Sequence, residues 1–261
     1  MSVLTTNQVK LFDINFDNLT MLEAINRIED TVEINKKNNQ YSYVVTPNVD
    51  HIVNTYKNEK FKQVYDNADL ILVDGMPIVQ ASRVLKSELK EKVSGSDLTP
   101  ELFKLAQKKQ YKVFIFGSRE GVADLAIQKI QKDFNYDFPI KGFSPPFGFE
   151  KDPIVLQECI QKVVDYQPDM LLVSLGSPKG EFFIYNHLSE LKVPVSLQIG
   201  ASIDFIAGTV KRAPVWMQKS SLEWFYRFVK EPKRMFRRYF INDSLFFKIF
   251  IQEYVAKKRG N

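Results

Sequence analysis

The chain predicts an α/β fold built on a mainly parallel sheet, and three observations carry that reading. Short, nearly continuous apolar runs, YSYVVT, LILVD, YKVFIFG, MLLVSLG and PVSLQIG, recur between Tyr41 and Gly200. A helix start follows each run within a few residues, and strands that are apolar throughout belong in a sheet covered by helices on both faces. A length of 261 residues with 44% hydrophobic content is enough for one large α/β domain, or for one domain with an appendage. No internal repeat or low-complexity linker interrupts the series.

Taken in order, the chain from Asn18 to Asn38 opens with Asn and Thr and then spaces Leu22, Ile25, Ile28 and Val32 as a helix does. YSYVVT runs into Thr46-Pro47-Asn48. Asn48 and Asp50 can cap the following helix, or Thr46 and Asn48 can present a hydroxyl and an amide to a ligand, because ligands in such sheets sit beyond the carboxyl ends of the strands. LILV ends in Asp74-Gly75. That pair is common in turns; it would equally serve as a general base whose partial desolvation lifts its pKa from about 3.9. Met76-Pro77 starts a helix carrying Arg83, and Ser94-Gly95-Ser96-Asp97 caps the next one.

YKVFIF leads into Gly117-Ser118-Arg119-Glu120-Gly121, a glycine pair at a strand-to-helix turn able to take a phosphate or nucleoside on backbone amides. It is not a G-x-G-x-x-G fingerprint, and no Walker-type loop occurs. The stretch GFSPPFG, ending at Gly148, follows a further short strand and reads either as the wall of a ligand site or as plain loop packing. MLLVSL ends in Gly176-Ser177-Pro178-Lys179-Gly180-Glu181, where Pro178 suits a helix start and Lys179 can meet an anion. No D-x-D carboxylate pair is present, so the metal-bound nucleotide-sugar site such a pair supports is not expected. Cys159 is the single cysteine, which excludes an internal disulfide and fits a reducing compartment. Only His51 and His187 accompany it, so neither a metal site nor a cofactor is expected.

Residues 211–261 differ from everything before them. They hold 13 Lys/Arg against 4 Asp/Glu, a surplus of nine, while the first 210 residues hold 23 against 27. Both tryptophans, Trp216 and Trp224, and twelve of the 34 aromatic residues also fall here. Pro232 suits the first turn of a helix, and at about 100° per residue Phe236, Tyr239 and Phe240 share one face while Arg234, Arg237 and Arg238 share the other. Such a segment wants an anionic, partly greasy partner, and arginine forks match phosphate oxygens bidentately. No run of 18 apolar residues exists, with Lys248 interrupting LFFKIFI, and the first thirty residues are too polar for a secretory signal.

TPNVDHIV, the Asp74-Gly75-Met76-Pro77 turn, SGSDL, GSREGVA, GSPKGE, IGASIDFIAG and RAPVWMQKSSLEWFYRFVKEPKRMFRRYF together resemble the WecG/TagA/CpsF family of bacterial glycosyltransferases across nearly the whole chain. The resemblance implies a Rossmann-like core, residues 1–210, and a helical appendage, residues 211–261, that closes the active site and touches the membrane. It implies inverting, metal-independent transfer from a UDP-sugar to a polyprenyl-diphosphate-linked acceptor, in the synthesis of a capsule, exopolysaccharide or teichoic-acid linkage. On matching positions Asp74 resembles the catalytic base, with Thr46 and Asn48 beside it. Arg83 would lie near the substrate, and Arg227, Arg234 and Arg237 would hold the diphosphate. Gly180 stands where the family pattern has Gln, which takes a side-chain amide out of the expected pocket.

The two readings agree on chemistry. A sugar transfer with UDP as leaving group must activate an acceptor hydroxyl and neutralise a growing diphosphate charge; Asp74 would do the first and the arginine face the second. Leu245 to Tyr254 would lie at the anionic surface of the bilayer, placing the protein peripherally on the cytoplasmic face of the membrane. A homo-oligomer stays open. The rival is a nucleic-acid-binding α/β protein using the basic aromatic tail, but that function does not require an Asp-Gly turn and several other polar strand ends around one crevice.

Overall fold

The computed structural model describes residues 7–219, 222–232 and 244–259. The hairpin β1 (Gln8–Leu11) and β2 (Ile14–Asp17) comes first, followed by α1 (Met21–Asn38). The sheet strands are β3 (Ser42–Val45), β4 (Leu70–Ile71), β5 (Val113–Gly117), β6 (Ile140–Phe143), β7 (Met170–Ser174) and β8 (Val195–Gln198). Between them run α2 (Val49–Lys57), α3 (Glu59–Asp66), α4 (Met76–Val84), α5 (Gly95–Lys109), α6 (Val122–Lys132), α7 (Pro153–Tyr166) and α8 (Lys179–Leu191). After the last strand come α9 (Ser202–Ala207), α10 (Val215–Lys219), α11 (Glu223–Lys230) and α12 (Ser244–Arg259).

The six sheet strands lie in the order β4-β3-β8-β7-β5-β6, and every pairing is parallel. This is the expected Rossmann-like α/β architecture. The strands have no polar face because both sides are covered: Phe114 and Phe116 of β5 and Leu171 and Val173 of β7 point into one core, Val113, Ile115, Met170 and Leu172 into the other. One core is closed by α1, α5, α6 and α9, and the second by α2, α3, α4, α7, α8, the hairpin and α12.

Local chemistry accounts for the element ends. Thr20 and Glu23 form a reciprocal capping box on α1. Its buried stripe is Ala24, Ile28, Val32 and Asn35, whereas Leu22, expected on that stripe, is 70% exposed. No Asn-Gly turn marks the hairpin in the sequence. Its turn residues Phe12 and Asp13 sit at φ 55° and 60°, and the Phe12 ring is buried edge-on against Phe246, 5.2 Å between centroids. The Asp17 carboxylate stitches the hairpin to the sheet edge, accepting from the Gln8 side chain at 3.1 Å and from the Ile71 N–H at 2.8 Å.

The last helix belongs to the body of the protein. Phe246 and Ile249 of α12 are buried in the same core as the hairpin and α2, with Leu245, Phe250 and Tyr254 packed against it. Lys257 bonds to the Ser87 hydroxyl beyond α4. The helix expected after Pro232, with its opposed aromatic and arginine faces, lies outside the described residues.

Candidate active site

The carboxyl ends of the parallel strands lie along one edge of the sheet, and the crevice in which folds of this kind hold ligands lies beyond that edge. At β3, Asn48 caps α2 by accepting from the Asp50 N–H at 3.0 Å through Oδ1, while its own N–H donates to His51 Nδ1 at 3.0 Å. Nδ1 is therefore the acceptor, so the ring proton sits on Nε2, which faces Glu181 Oε1 at 3.0 Å. Thr46 and Asn48 are half-buried beside this cap. The Asp74 N–H donates to Pro47 O at 2.9 Å, which fixes the base candidate's turn against the Thr46–Asn48 loop. Asp74 is half-buried, and Gly75 follows it at φ 134°, a conformation that only glycine adopts readily.

The chain returns to the same place at the start of α5. The Val93 N–H donates to Val73 O at 2.8 Å, and a Cβ on Gly95 would stand 3.0 Å from Ile199 O, so the N-terminal turn of α5 lies against the ends of β4 and β8. Ser94 and Asp97 cap that turn reciprocally: the Asp97 N–H donates to Ser94 Oγ at 3.2 Å, and the Ser94 hydroxyl donates to Asp97 Oδ2 at 2.7 Å. On the other side of the sheet a hydroxyl chain joins three strand ends. Ser118 donates to Ser174 Oγ at 2.9 Å and Ser174 to Gly200 O at 2.7 Å. Gly117 has no room for a side chain, since its Cβ would lie 2.5 Å from Ser174 O.

The GFSPPFG loop is tied back by Ser144, which donates to Gly117 O at 3.2 Å and to Arg119 O at 3.0 Å. Its tip, Phe147, is fully exposed next to Gly148, which turns at φ 81°. The Lys179 ammonium sits 2.8 Å from Glu150 Oε1 and 5.5 Å from the centre of the Phe147 ring. This bond to Lys179 holds the Glu150 carboxyl below its ordinary pKa. The charge expected to meet an anion is thus paired within the protein.

Of the expected residues, the structure brings Thr46, Asn48 and Asp74 together at the β4-β3 end of the sheet and Gly117 to the end of β5 towards its other side, with Gly148 on the loop after β6 and Lys179 in the first turn of α8 after β7. Arg83 is exposed in the last turn of α4, about two turns beyond Met76. Arg227 belongs to α11, and Arg234 and Arg237 lie outside the described residues.

Three features were not legible in advance. Beneath the loops, Glu181 is buried, and the Gln198 amide donates to Leu175 O at 2.9 Å and to Glu181 Oε2 at 3.4 Å. The Gln198 side chain fills the space over Gly180, so a carboxamide stands beside position 180 although it comes from β8. At the mouth of α5, Arg212 pairs with Asp97. None of these pairings has a local signal, because each joins segments that meet only when the sheet forms. Among the described residues no three His, Cys, Asp or Glu side chains gather in a group that would hold a metal ion.

Residues 9–260 match the model of the glycosyl transferase WecG/TagA/CpsF family. The chain is 33% identical over 196 residues to an N-acetylglucosaminyldiphosphoundecaprenol N-acetyl-beta-D-mannosaminyltransferase of Bacillus spizizenii, covering 75% of this chain and 74% of that protein. Proteins of the same name are 34% identical over 178 residues in Bacillus subtilis (68% of this chain, 67% of that protein) and 28% identical over 234 residues in Staphylococcus aureus (89% and 88%). A parallel α/β sheet with polar strand ends, matched over nearly its full length by this model, makes the chain a member of the WecG/TagA/CpsF glycosyltransferase family.

Proposed function

We propose that this protein transfers an N-acetylhexosamine, of the N-acetylmannosamine type, from a UDP-sugar to a polyprenyl-diphosphate-linked saccharide in cell-surface polymer synthesis. The names of its relatives support the transferred sugar and the acceptor class. The observation that carries the reading is the position of Asp74: a half-buried carboxylate at a strand end, held against Thr46–Asn48 through Pro47 O. In this reading Asp74 takes the proton of the acceptor hydroxyl as it attacks the anomeric carbon from the face opposite UDP, which inverts that carbon. Arg227, Arg234 and Arg237 offset the charge that builds on the departing diphosphate, the part a divalent metal plays elsewhere.

The acceptor's lipid would bring the protein to the inner face of the membrane. No helix among the described residues is long and apolar enough to cross a bilayer. α12 instead divides its apolar residues. Phe246 and Ile249 face the core, while Phe247 (68% exposed), Ile251 (58%) and Val255 (38%) recur every fourth residue on the outside. Lys248, Lys258 and Arg259 are exposed on the same helix, a composition suited to lying in an anionic interface.

The test is transfer from UDP-N-acetylmannosamine to a soluble N-acetylglucosaminyl-diphosphate-lipid analogue, with other UDP-sugars as comparison. The parent should transfer, and Asp74→Asn should keep fold and UDP affinity while losing roughly 10² to 10⁴ in turnover. Near-normal turnover by Asp74→Asn would remove the base from the mechanism, and no transfer from any UDP-sugar would remove the reaction.

A further inference from the structure

Arg212 stands at the junction between the sheet domain and the basic segment, and it joins two carboxylates from different parts of the chain. Its Nη2 lies 2.6 Å from Asp97 Oδ1 in the first turn of α5, and its Nε lies 3.2 Å from Glu223 Oε1 at the start of α11. Asp97 is also met by Lys92 at 2.8 Å and by the Ser94 hydroxyl at 2.7 Å. All four charged side chains are largely buried, none more than 29% exposed. Among the described residues, Lys92 and Arg212 thus face Asp97 and Glu223 across one cluster. The flanking segment is seated by Ala213 and Met217, both buried, and Gln218 donates back to Ala213 O at 2.6 Å.

We infer that Arg212 is a positioning residue: it latches α11 onto the capped N-terminus of α5, and so sets where α11 stands relative to the strand-end crevice. Two features make the latch specific. Its anchor is tightly packed, because Gly95 lies against the residue after β8, where a Cβ would stand 3.0 Å from Ile199 O. Its far end, Glu223, begins the helix on which position 227 follows one turn later. A shift at 223 is therefore carried to 227, and small displacements of a charge-stabilising group are costly to binding and rate. This consequence rests on the reading that Arg227 and the arginines after it hold the donor's diphosphate. The latch itself does not.

Two measurements on the full chain test this inference. Limited trypsin digestion reads the latch without substrate. Arg212→Ala and Glu223→Gln should speed cleavage after Lys211 and Lys230 several-fold relative to cuts in the sheet domain, and unchanged cleavage would overturn the latch. Steady-state kinetics with the UDP-sugar reads positioning. Both variants should raise donor KM by about tenfold with kcat close to the parent's, and with Arg212→Lys in between. If Arg212 bound the diphosphate directly, Glu223→Gln would release it and lower KM; a lowered or unchanged KM in that variant overturns the positioning role. Arg227→Ala and Arg234→Ala separate the two readings. If they are silent while the latch variants open to trypsin, the diphosphate assignment fails and the latch stands.

Discussion

Gly180 and Gln198 should be energetically coupled, and the structure gives the size of the coupling. A Cβ at position 180 would lie 2.3 Å from Gln198 Nε2, 2.6 Å from Cδ and 2.7 Å from Oε1, all well inside the contact distance of about 3.5 Å. In Gly180→Ala the Gln198 carboxamide, the far end of a flexible side chain, must move by about 1 Å and so gives up its bond to Leu175 O. Losing that bond in a buried setting costs about 1 to 3 kcal/mol, and overpacking adds a similar amount. Alanine returns less than about 1 kcal/mol through its better helix propensity. A net loss of about 3 kcal/mol corresponds to a fall in melting temperature of roughly 6 to 12 °C for a chain of this size. Thermal and urea melts of Gly180→Ala, Gln198→Ala and the double variant form a cycle in which Gln198→Ala makes room for the new methyl group. The coupling should be at least about 1 kcal/mol and favour the double variant. A Gly180→Ala protein within about 0.3 kcal/mol of the parent, or simple additivity, would show that the space over Gly180 is not filled as described.

Three further outcomes follow from the same geometry. Phe247→Glu with Ile251→Glu should weaken binding to anionic liposomes in co-sedimentation while leaving transfer to a soluble acceptor intact, because both side chains point away from the core; unchanged sedimentation refutes the docking face. EDTA should leave turnover within about twofold of untreated enzyme if arginines carry the charge-neutralising role, and strict dependence on added manganese or magnesium would reverse that assignment. The Asp97 carboxyl is pushed up by burial, but Lys92, Ser94 and Arg212 outweigh this and hold it below its ordinary 3.8. Its contribution to stability is therefore present above about pH 4 and lost as pH falls through the depressed value. Denaturant melts of the parent and Asp97→Asn should differ at pH 6 and converge as pH falls below about 4; a constant difference would remove Asp97 from the acid response.

The sheet was legible because its signals are local. YKVFIFG and MLLVSLG are apolar at every position, and only a strand covered on both faces uses such a run. Asn48 and Ser94 are cap residues recognisable from side-chain type alone, and the turn at Asp74-Gly75 is marked by its glycine. The crevice could therefore be located from where the runs end, before any pairing was known.

What each side chain does in that crevice was decided by contacts between distant segments. Asn48 was open between capping and ligand binding, and the structure gives its Oδ1 to the Asp50 N–H. Lys179 looks like an anion site in sequence, yet its charge meets Glu150. The greasy run in the last helix reads as one membrane-facing stretch, but Phe246 and Ile249 turn inward to join the core of the hairpin and α2, where Phe246 meets the ring of Phe12 from near the start of the sequence. Periodicity and capping act within one or two helical turns and so can be read from neighbours in sequence. Charge pairing and burial depend on what arrives from elsewhere, as Asp97 meets Arg212 across 115 positions, and only the closed tertiary structure supplies that partner.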